Sequence, residues 1–218
     1  MIPKLHYISQ GKTSEEHLEN IQKACASGAE LVQLRMKSFS EEDVLETAKK
    51  ARGITGHFQT RLIINDYYKI AKEVKADGVH LGKLDADPLE VRAYLFSWQL
   101  IGGTANTLEE CQVLLNKKVD YIGLGPFRYT NTKENLSPVL GEKGYSEILE
   151  KLKTDIPVIA VGGITQYDIL DIMITGVYGM AISGEITRDF NSIPKFKELI
   201  AGGSTEEQRW NPEDKNKQ

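Results

Sequence analysis

The stretch Gln33-Leu34-Arg35-Met36-Lys37 alternates polar and apolar residues. At the end of an extended segment, period-two alternation points Gln33, Arg35 and Lys37 to one side. Two cations and an amide converging on one spot suit an anion attached to a polar ring. Asn65-Asp66 stands directly behind the apolar Leu62-Ile63-Ile64, and Gly78-Val79-His80-Leu81-Gly82 leads to Asp85. Two carboxylates at neighbouring strand ends, with an amide beside them, form a hard oxygen site. Mg²⁺ takes such a site through one or two carboxylates plus phosphate oxygens. Singly, Asp66 and Asp85 read equally well as helix N-caps; the Arg35 and Lys37 cluster tips the pair toward metal and anion. His80, between Val79 and Leu81, reads as a hydrogen-bonded interior residue with no catalytic role.

Further along, Gly102-Gly103-Thr104-Ala105-Asn106 is a small-residue loop that carries a hydroxyl. The segment Gly123-Leu124-Gly125-Pro126-Phe127 runs into Tyr129-Thr130-Asn131-Thr132-Lys133. Two hydroxyls and an ammonium on a loop this long suit phosphate binding and a lid. Gly162-Gly163-Ile164 and Ile182-Ser183-Gly184 follow the last two apolar runs. Glycine there lets backbone N–H groups approach a phosphate closely. No convincing Ser/His/Asp or Cys/His arrangement offers a protein nucleophile.

The elements that must position these residues are short apolar runs at 5–8, 31–34, 62–64, 78–81, 100–102, 119–124, 157–161 and 179–183. They are continuous rather than alternating, as in strands buried on both faces of a parallel sheet. Helix starts between them are marked by Thr13-x-x-Glu16 and Thr107-x-x-Glu110, both of capping-box form, by the weaker Ser40-x-x-Asp43, and by Asp87-Pro88-Leu89-Glu90. Strand–helix alternation repeated about eight times in 218 residues predicts an α/β fold, a single (β/α)₈ TIM barrel over 1–201. A doubly wound sheet would place a Gly-rich loop after the first strand, and Ser9-Gln10-Gly11-Lys12 is not one. In such a barrel the loops after the strands build the active site. Residues 202–218 are polar and charged and predict a frayed tail.

Composition narrows the function classes. With 40% hydrophobic and 27% charged residues the chain is of the ordinary globular type. A net charge of −4 argues against nucleic acid as a partner. Cys25 and Cys111 have no CxxC spacing and read as small core side chains in a reducing compartment. The opening MIPKLHYISQ lacks the form of a signal peptide, and no apolar run suits a membrane span, so a cytoplasmic setting is expected. Partners are then small molecules, with assembly into a homo-oligomer left open.

Read together, these blocks resemble the thiamine phosphate synthase family. The matching stretches are residues 33–37, Ile63-Ile64-Asn65-Asp66, Asp77 to Gly82 with Asp85, Asp120 to Pro126, Thr130-Asn131-Thr132-Lys133, and Pro157 to Ile164. They cover nearly the whole barrel, about residues 5 to 200. The resemblance implies a transferase that couples hydroxymethylpyrimidine diphosphate to thiazole phosphate, or its carboxylate, releasing diphosphate. It implies that Gln33, Arg35, Lys37, Asn65 and Lys133 hold the pyrimidine diphosphate and that Asp66 and Asp85 bind Mg²⁺. Thr130, Thr132, Gly163 and the Ser183-Gly184 backbone would hold the thiazole phosphate. Arg35, Lys37 and Lys133 would neutralise the leaving diphosphate, so a dissociative mechanism without a nucleophile is expected. Two departures stand out. Thr104-Ala105 replaces a common Ser-His pair, with the Thr104 hydroxyl able to keep a diphosphate contact, and Gly184 stands where the family often has serine. The rival readings are a thiazole tautomerase-like enzyme, a non-catalytic barrel that binds a thiamine precursor, and another phosphate-binding epimerase or isomerase. The first would have lost the Asp66, Asp85 and Thr130–Lys133 features, and the last would need an acid/base pair inside the barrel.

Overall fold

The computed structural model describes residues 2–130 and 138–202. Among them, eight parallel strands pair in chain order and close into a barrel: β1 (Leu5–Ile8), β2 (Leu31–Leu34), β3 (Arg61–Asn65), β4 (Gly78–Leu81), β5 (Leu100–Ala105), β6 (Tyr121–Leu124), β7 (Val158–Val161) and β8 (Gly179–Ile182). Closure is made by β8 pairing with β1, Leu5 opposite Met180. Outside the barrel run α1 (Ser14–Ala26), α2 (Glu41–His57), α3 (Tyr68–Glu73), α4 (Pro88–Tyr94), α5 (Leu108–Asn116), α6 (Gly141–Leu152), α7 (Ile169–Ile174), α8 (Gly184–Arg188) and α9 (Ile193–Gly202). The expected (β/α)₈ barrel is present. Helix α9 runs through Gly202, and the polar tail beyond it lies outside the described residues.

Several strand limits differ from the sequence expectation. β5 continues past the two glycines to Ala105, because parallel pairing with β6 needs only backbone and Ala105 sits opposite Leu124. Thr104 therefore belongs to the strand and not to the loop after it. Asn65 likewise ends β3, opposite His80 of β4. At the other side, β6 begins at Tyr121 rather than residue 119, and Ser183 lies beyond β8 as the residue before α8.

Alternation along each strand sorts the core into two parts. Outward residues such as Val32, Leu34, Leu62, Ile64, Val79 and Ile122 pack against the helices. Inward residues Leu31, Ile63, Tyr121 and Ile159 form a separate plug inside the barrel, with Leu100 against it. The plug needs a missing side chain: a Cβ on Gly102 would stand 2.1 Å from the Tyr121 ring. Burial on both faces is what makes the strands read as unbroken apolar runs.

Helix starts follow the sequence signals. Thr107 and Glu110 complete a reciprocal capping box, and Asp87 accepts from the Leu89 N–H with Pro88 in the first turn. Thr13 accepts from Glu16 N–H, but the Glu16 carboxylate bonds the Lys12 N–H, one residue earlier than a closed box. Cys25 and Cys111 are free and buried. Among the described residues, no helix is long and apolar enough to cross a membrane.

Candidate active site at the carboxyl ends of the strands

The carboxylates come together at the ends of β3 and β4. Asp66 takes a left-handed backbone (φ 68°), a conformation aspartate tolerates better than most residues. Its N–H is fixed by the His80 carbonyl at 2.9 Å. From there its carboxyl group hydrogen-bonds the carboxylate of Asp85. Asp85 is held in turn by the Gly82 N–H. A Cβ on Gly82 would lie 2.8 Å from that carboxylate oxygen, so glycine keeps the space open for it.

Two acids this close cannot both ionise freely. Burial, then the bond to Asp85, pushes the Asp66 pKa up to about 6, against the pull of the Lys37 ammonium. Burial also works against ionising Asp85, but the bonds from Asp66 and the Gly82 N–H hold it below the usual value, with Lys37 and His80 adding to the effect. Of the two, Asp66 is the one that takes up a proton as pH falls through about 6. Lys37, beyond β2, reaches across to form an ion pair with Asp66. Arg35 is half-buried on the same side, where burial lowers its pKa and Asp66 opposes that shift.

This donor set fits Mg²⁺. Among the described residues no group of three or more His, Cys, Asp or Glu side chains gathers as a metal cage. A pair of carboxylates leaves the remaining positions to water and substrate oxygens, which is how Mg²⁺ is held beside phosphates.

Below the carboxylates lies a polar layer of the barrel interior. Gln33 is 6% exposed and Asn65 is 7% exposed, so both present amides at the base of the mouth. The Gln33 amide faces the Tyr121 hydroxyl. That hydroxyl also meets His80 Nδ1 at 3.1 Å, and His80 Nε2 meets the Thr104 hydroxyl at 2.9 Å. His80 is thus the interior hydrogen-bonding residue expected, and Thr104 is its partner across β4 and β5.

The other half of the mouth is built by β6, β7 and β8. Gly163 follows β7 with φ 70°, and a Cβ there would stand 2.9 Å from the Arg128 carbonyl and 3.0 Å from that of Tyr129. The loops after β6 and β7 continue to pair through backbone bonds, Phe127 N–H to Val161 and Arg128 N–H to Gly162. Thr130 is half-buried beside them, while Asn131, Thr132 and Lys133 lie outside the described residues. After β8, Ser183 donates its hydroxyl to the Ile8 carbonyl at 2.8 Å. What this turn offers a phosphate is consequently backbone. Around Gly184 a Cβ would meet nothing nearer than 3.7 Å, so sterics do not demand glycine there.

Sequence reasoning missed the strut between these loops. Arg128 forks onto Asp168, with Nη2 to Oδ1 at 2.6 Å and Nη1 to Oδ2 at 3.0 Å, and its Nη1 also reaches the Gly163 carbonyl at 3.2 Å. Asp168 is fixed by Thr165 through both N–H and hydroxyl. The Thr165-x-x-Asp168 spacing carried a capping signal; the partner 40 residues earlier did not.

A family model described as thiamine monophosphate synthase matches residues 5–186. A thiamine-phosphate synthase of Flavobacterium psychrophilum is 45% identical over 91% of this chain and 98% of its own. One from Flavobacterium johnsoniae is 47% identical over 86% of this chain and 90% of its own. Among solved structures, a thiamine phosphate pyrophosphorylase from Pyrococcus furiosus superposes with a TM-score of 0.78 at 27% identity, covering 90% of this chain and 96% of that one.

Proposed function

The chain belongs to the thiamine monophosphate synthase family, and from that premise we propose how its barrel mouth carries out thiamine-phosphate synthesis. It is a transferase of the thiamine-phosphate diphosphorylase type. The reading is that it joins 4-amino-2-methyl-5-hydroxymethylpyrimidine diphosphate to thiazole phosphate, or its carboxylate, in a Mg²⁺-dependent reaction. The carbon–oxygen bond to diphosphate breaks first, the electron pair leaving with diphosphate, and the thiazole nitrogen then bonds to the pyrimidine methylene carbon. The observation that carries this reading is the Asp66–Asp85 pair with Lys37 against it and Arg35 alongside.

Asp66 and Asp85 would hold Mg²⁺, whose charge when bound would stabilise the departing diphosphate. Arg35 and Lys37 meet the oxygens on which negative charge develops, with Lys133 assigned to the same task. Gln33 and Asn65 orient the pyrimidine from the floor of the mouth. An electron-rich aminopyrimidine can carry the methylene cation of a dissociative path, so no side chain needs to attack. Thr130, Thr132, Gly163 and the backbone at Ser183-Gly184 hold the thiazole phosphate. With the Thr104 hydroxyl bonded to His80, its contribution is to brace the polar layer beside the diphosphate. The protein's part is positioning and charge.

The test is direct. Incubated with both substrates and Mg²⁺, the protein should release thiamine phosphate and diphosphate in equal amounts, and chelation of the metal should stop the reaction. Absence of thiamine phosphate with Mg²⁺ present would overturn the reading.

A further inference from the structure

Pairing of β1 with β2 ends at Ile8 and Gln33, yet the two chains stay tied beyond the ladder. Ser9 donates its N–H to the Gln33 carbonyl at 2.9 Å. The next bond of a regular ladder would run from Arg35 N–H to the Ser9 carbonyl. Instead that N–H is taken by the Ser9 hydroxyl oxygen at 3.2 Å. The same oxygen lies 2.9 Å from Nδ1 of His17, in the first turns of α1. Both side chains are closed off from water, Ser9 at 3% exposure and His17 at 2%. The imidazole edge also packs on Phe39, with ring centroids 5.7 Å apart.

The protons of this cluster can be assigned. The Ser9 hydroxyl accepts from the Arg35 N–H, which leaves its own proton for His17 Nδ1. That pairing makes Nδ1 the acceptor and puts the proton of a neutral ring on Nε2. Gly11 packs against the same edge of the ring, where a Cβ would stand 2.8 Å from His17 Cδ2. Burial disfavours a charged ring, with Arg35 acting in the same direction and Glu16 opposing it.

We propose that Ser9 and His17 are positioning residues for Arg35: a fixed chain from His17 through Ser9 to the Arg35 N–H sets the backbone from which the diphosphate-binding guanidinium projects. The proposal rests on the assignment of Arg35 to the diphosphate. It gives a task to a buried histidine that the chemistry itself does not use.

The experiment titrates inorganic diphosphate with Mg²⁺ into the wild type and into Ser9→Ala, Ser9→Thr, His17→Asn, Arg35→Ala and the Ser9→Ala/Arg35→Ala double variant. Ser9→Ala should weaken diphosphate binding about tenfold, because it strands a buried N–H. Ser9→Thr keeps the hydroxyl and His17→Asn keeps an acceptor near Nδ1, so each should stay within about threefold of wild type. In the double variant the Ser9 change should cost nothing beyond Arg35→Ala alone. The KM for thiazole phosphate should not move in Ser9→Ala. Nitrogen NMR of the His17 ring should find the Nε2–H tautomer, with the Nδ1 resonance shifting in Ser9→Ala.

Additive losses in the double variant, equal losses for both substrates, or an Nδ1–H ring would overturn the proposal. Failure of the unsubstituted protein to bind diphosphate would overturn the reading of Arg35 itself. That outcome is distinguishable because it requires no substitution.

Discussion

The Lys37 ammonium is paired with the Asp66 carboxyl group across the gap between β2 and β3, although diphosphate is its proposed partner. On the proposed assignment Lys37 would change partner: its charge offsets the carboxylate pair, and a bound Mg²⁺ would take over that task and release it toward the anion. Asp66→Ala and Asp85→Ala should each lower Mg²⁺-dependent turnover by orders of magnitude, measured as thiamine phosphate formed at saturating substrates. Near-wild-type rates in both would remove the metal assignment.

Acidity gives a second reading of the same pair. The folded protein holds the Asp66 proton up to about pH 6, more tightly than the unfolded chain with its ordinary value of 3.8. The associated stability is fully present below 3.8, declines as pH rises and is lost above about 6. Asp66→Asn removes the cost of ionising the buried group. At pH 8 it should resist denaturant better than wild type by on the order of 1–2 kcal/mol, with the difference vanishing near pH 4. Metal affinity of the wild type should weaken as pH falls through about 6, because proton and metal compete for one carboxyl group. Chemical unfolding and Mg²⁺ titration across pH check both expectations.

Gly163→Ala should strike the thiazole side selectively. Its φ of 70° and the 2.9 Å approach to the Arg128 carbonyl force the loops after β6 and β7 apart. The KM for thiazole phosphate should rise by about tenfold or more while that for the pyrimidine diphosphate stays near wild type. Equal effects on both substrates in steady-state kinetics would contradict the division of the mouth into two halves.

The Arg128–Asp168 fork is half-exposed on the arginine side, so its worth to global stability is small. Arg128→Ala should leave the midpoint of denaturant unfolding within about 0.5 kcal/mol of wild type. It should still raise the KM for thiazole phosphate, since Gly163 loses its strut to the loop after β6. Arg128→Lys should behave like Arg128→Ala, as an ammonium cannot make the two-pronged contact.

Tyr145 carries the opposite balance. Its buried hydroxyl donates to the Leu124 carbonyl and receives the Val161 N–H, joining the ends of β6 and β7 from outside the barrel. The β6–β7 ladder also pairs these two groups with each other, so Tyr145→Phe removes one added hydrogen bond and should cost about 0.5–1.5 kcal/mol in denaturant unfolding.

Much of this molecule was legible before its structure. Runs buried on both faces announced the parallel strands, and alternation at residues 33 to 37 placed Gln33, Arg35 and Lys37 together. The aspartates could be paired because they follow consecutive strands. Less legible was anything joining distant parts of the chain through side chains. The Ser9 hydroxyl meets Arg35 only once β1 and β2 pair. Arg128 reaches Asp168 once β6 and β7 do, and no local pattern marks either contact. The end of β5 was misplaced because Gly102 and Gly103 look like a turn, whereas their missing side chains serve Tyr121 and Leu114.

The plug of Leu31, Ile63, Tyr121 and Ile159 has a consequence for traffic. A barrel stoppered at its waist is a vessel with one door. On the proposed reaction both substrates would enter and both products would leave at the carboxyl ends of the strands. Diphosphate left behind would then compete with the next pyrimidine diphosphate for one berth.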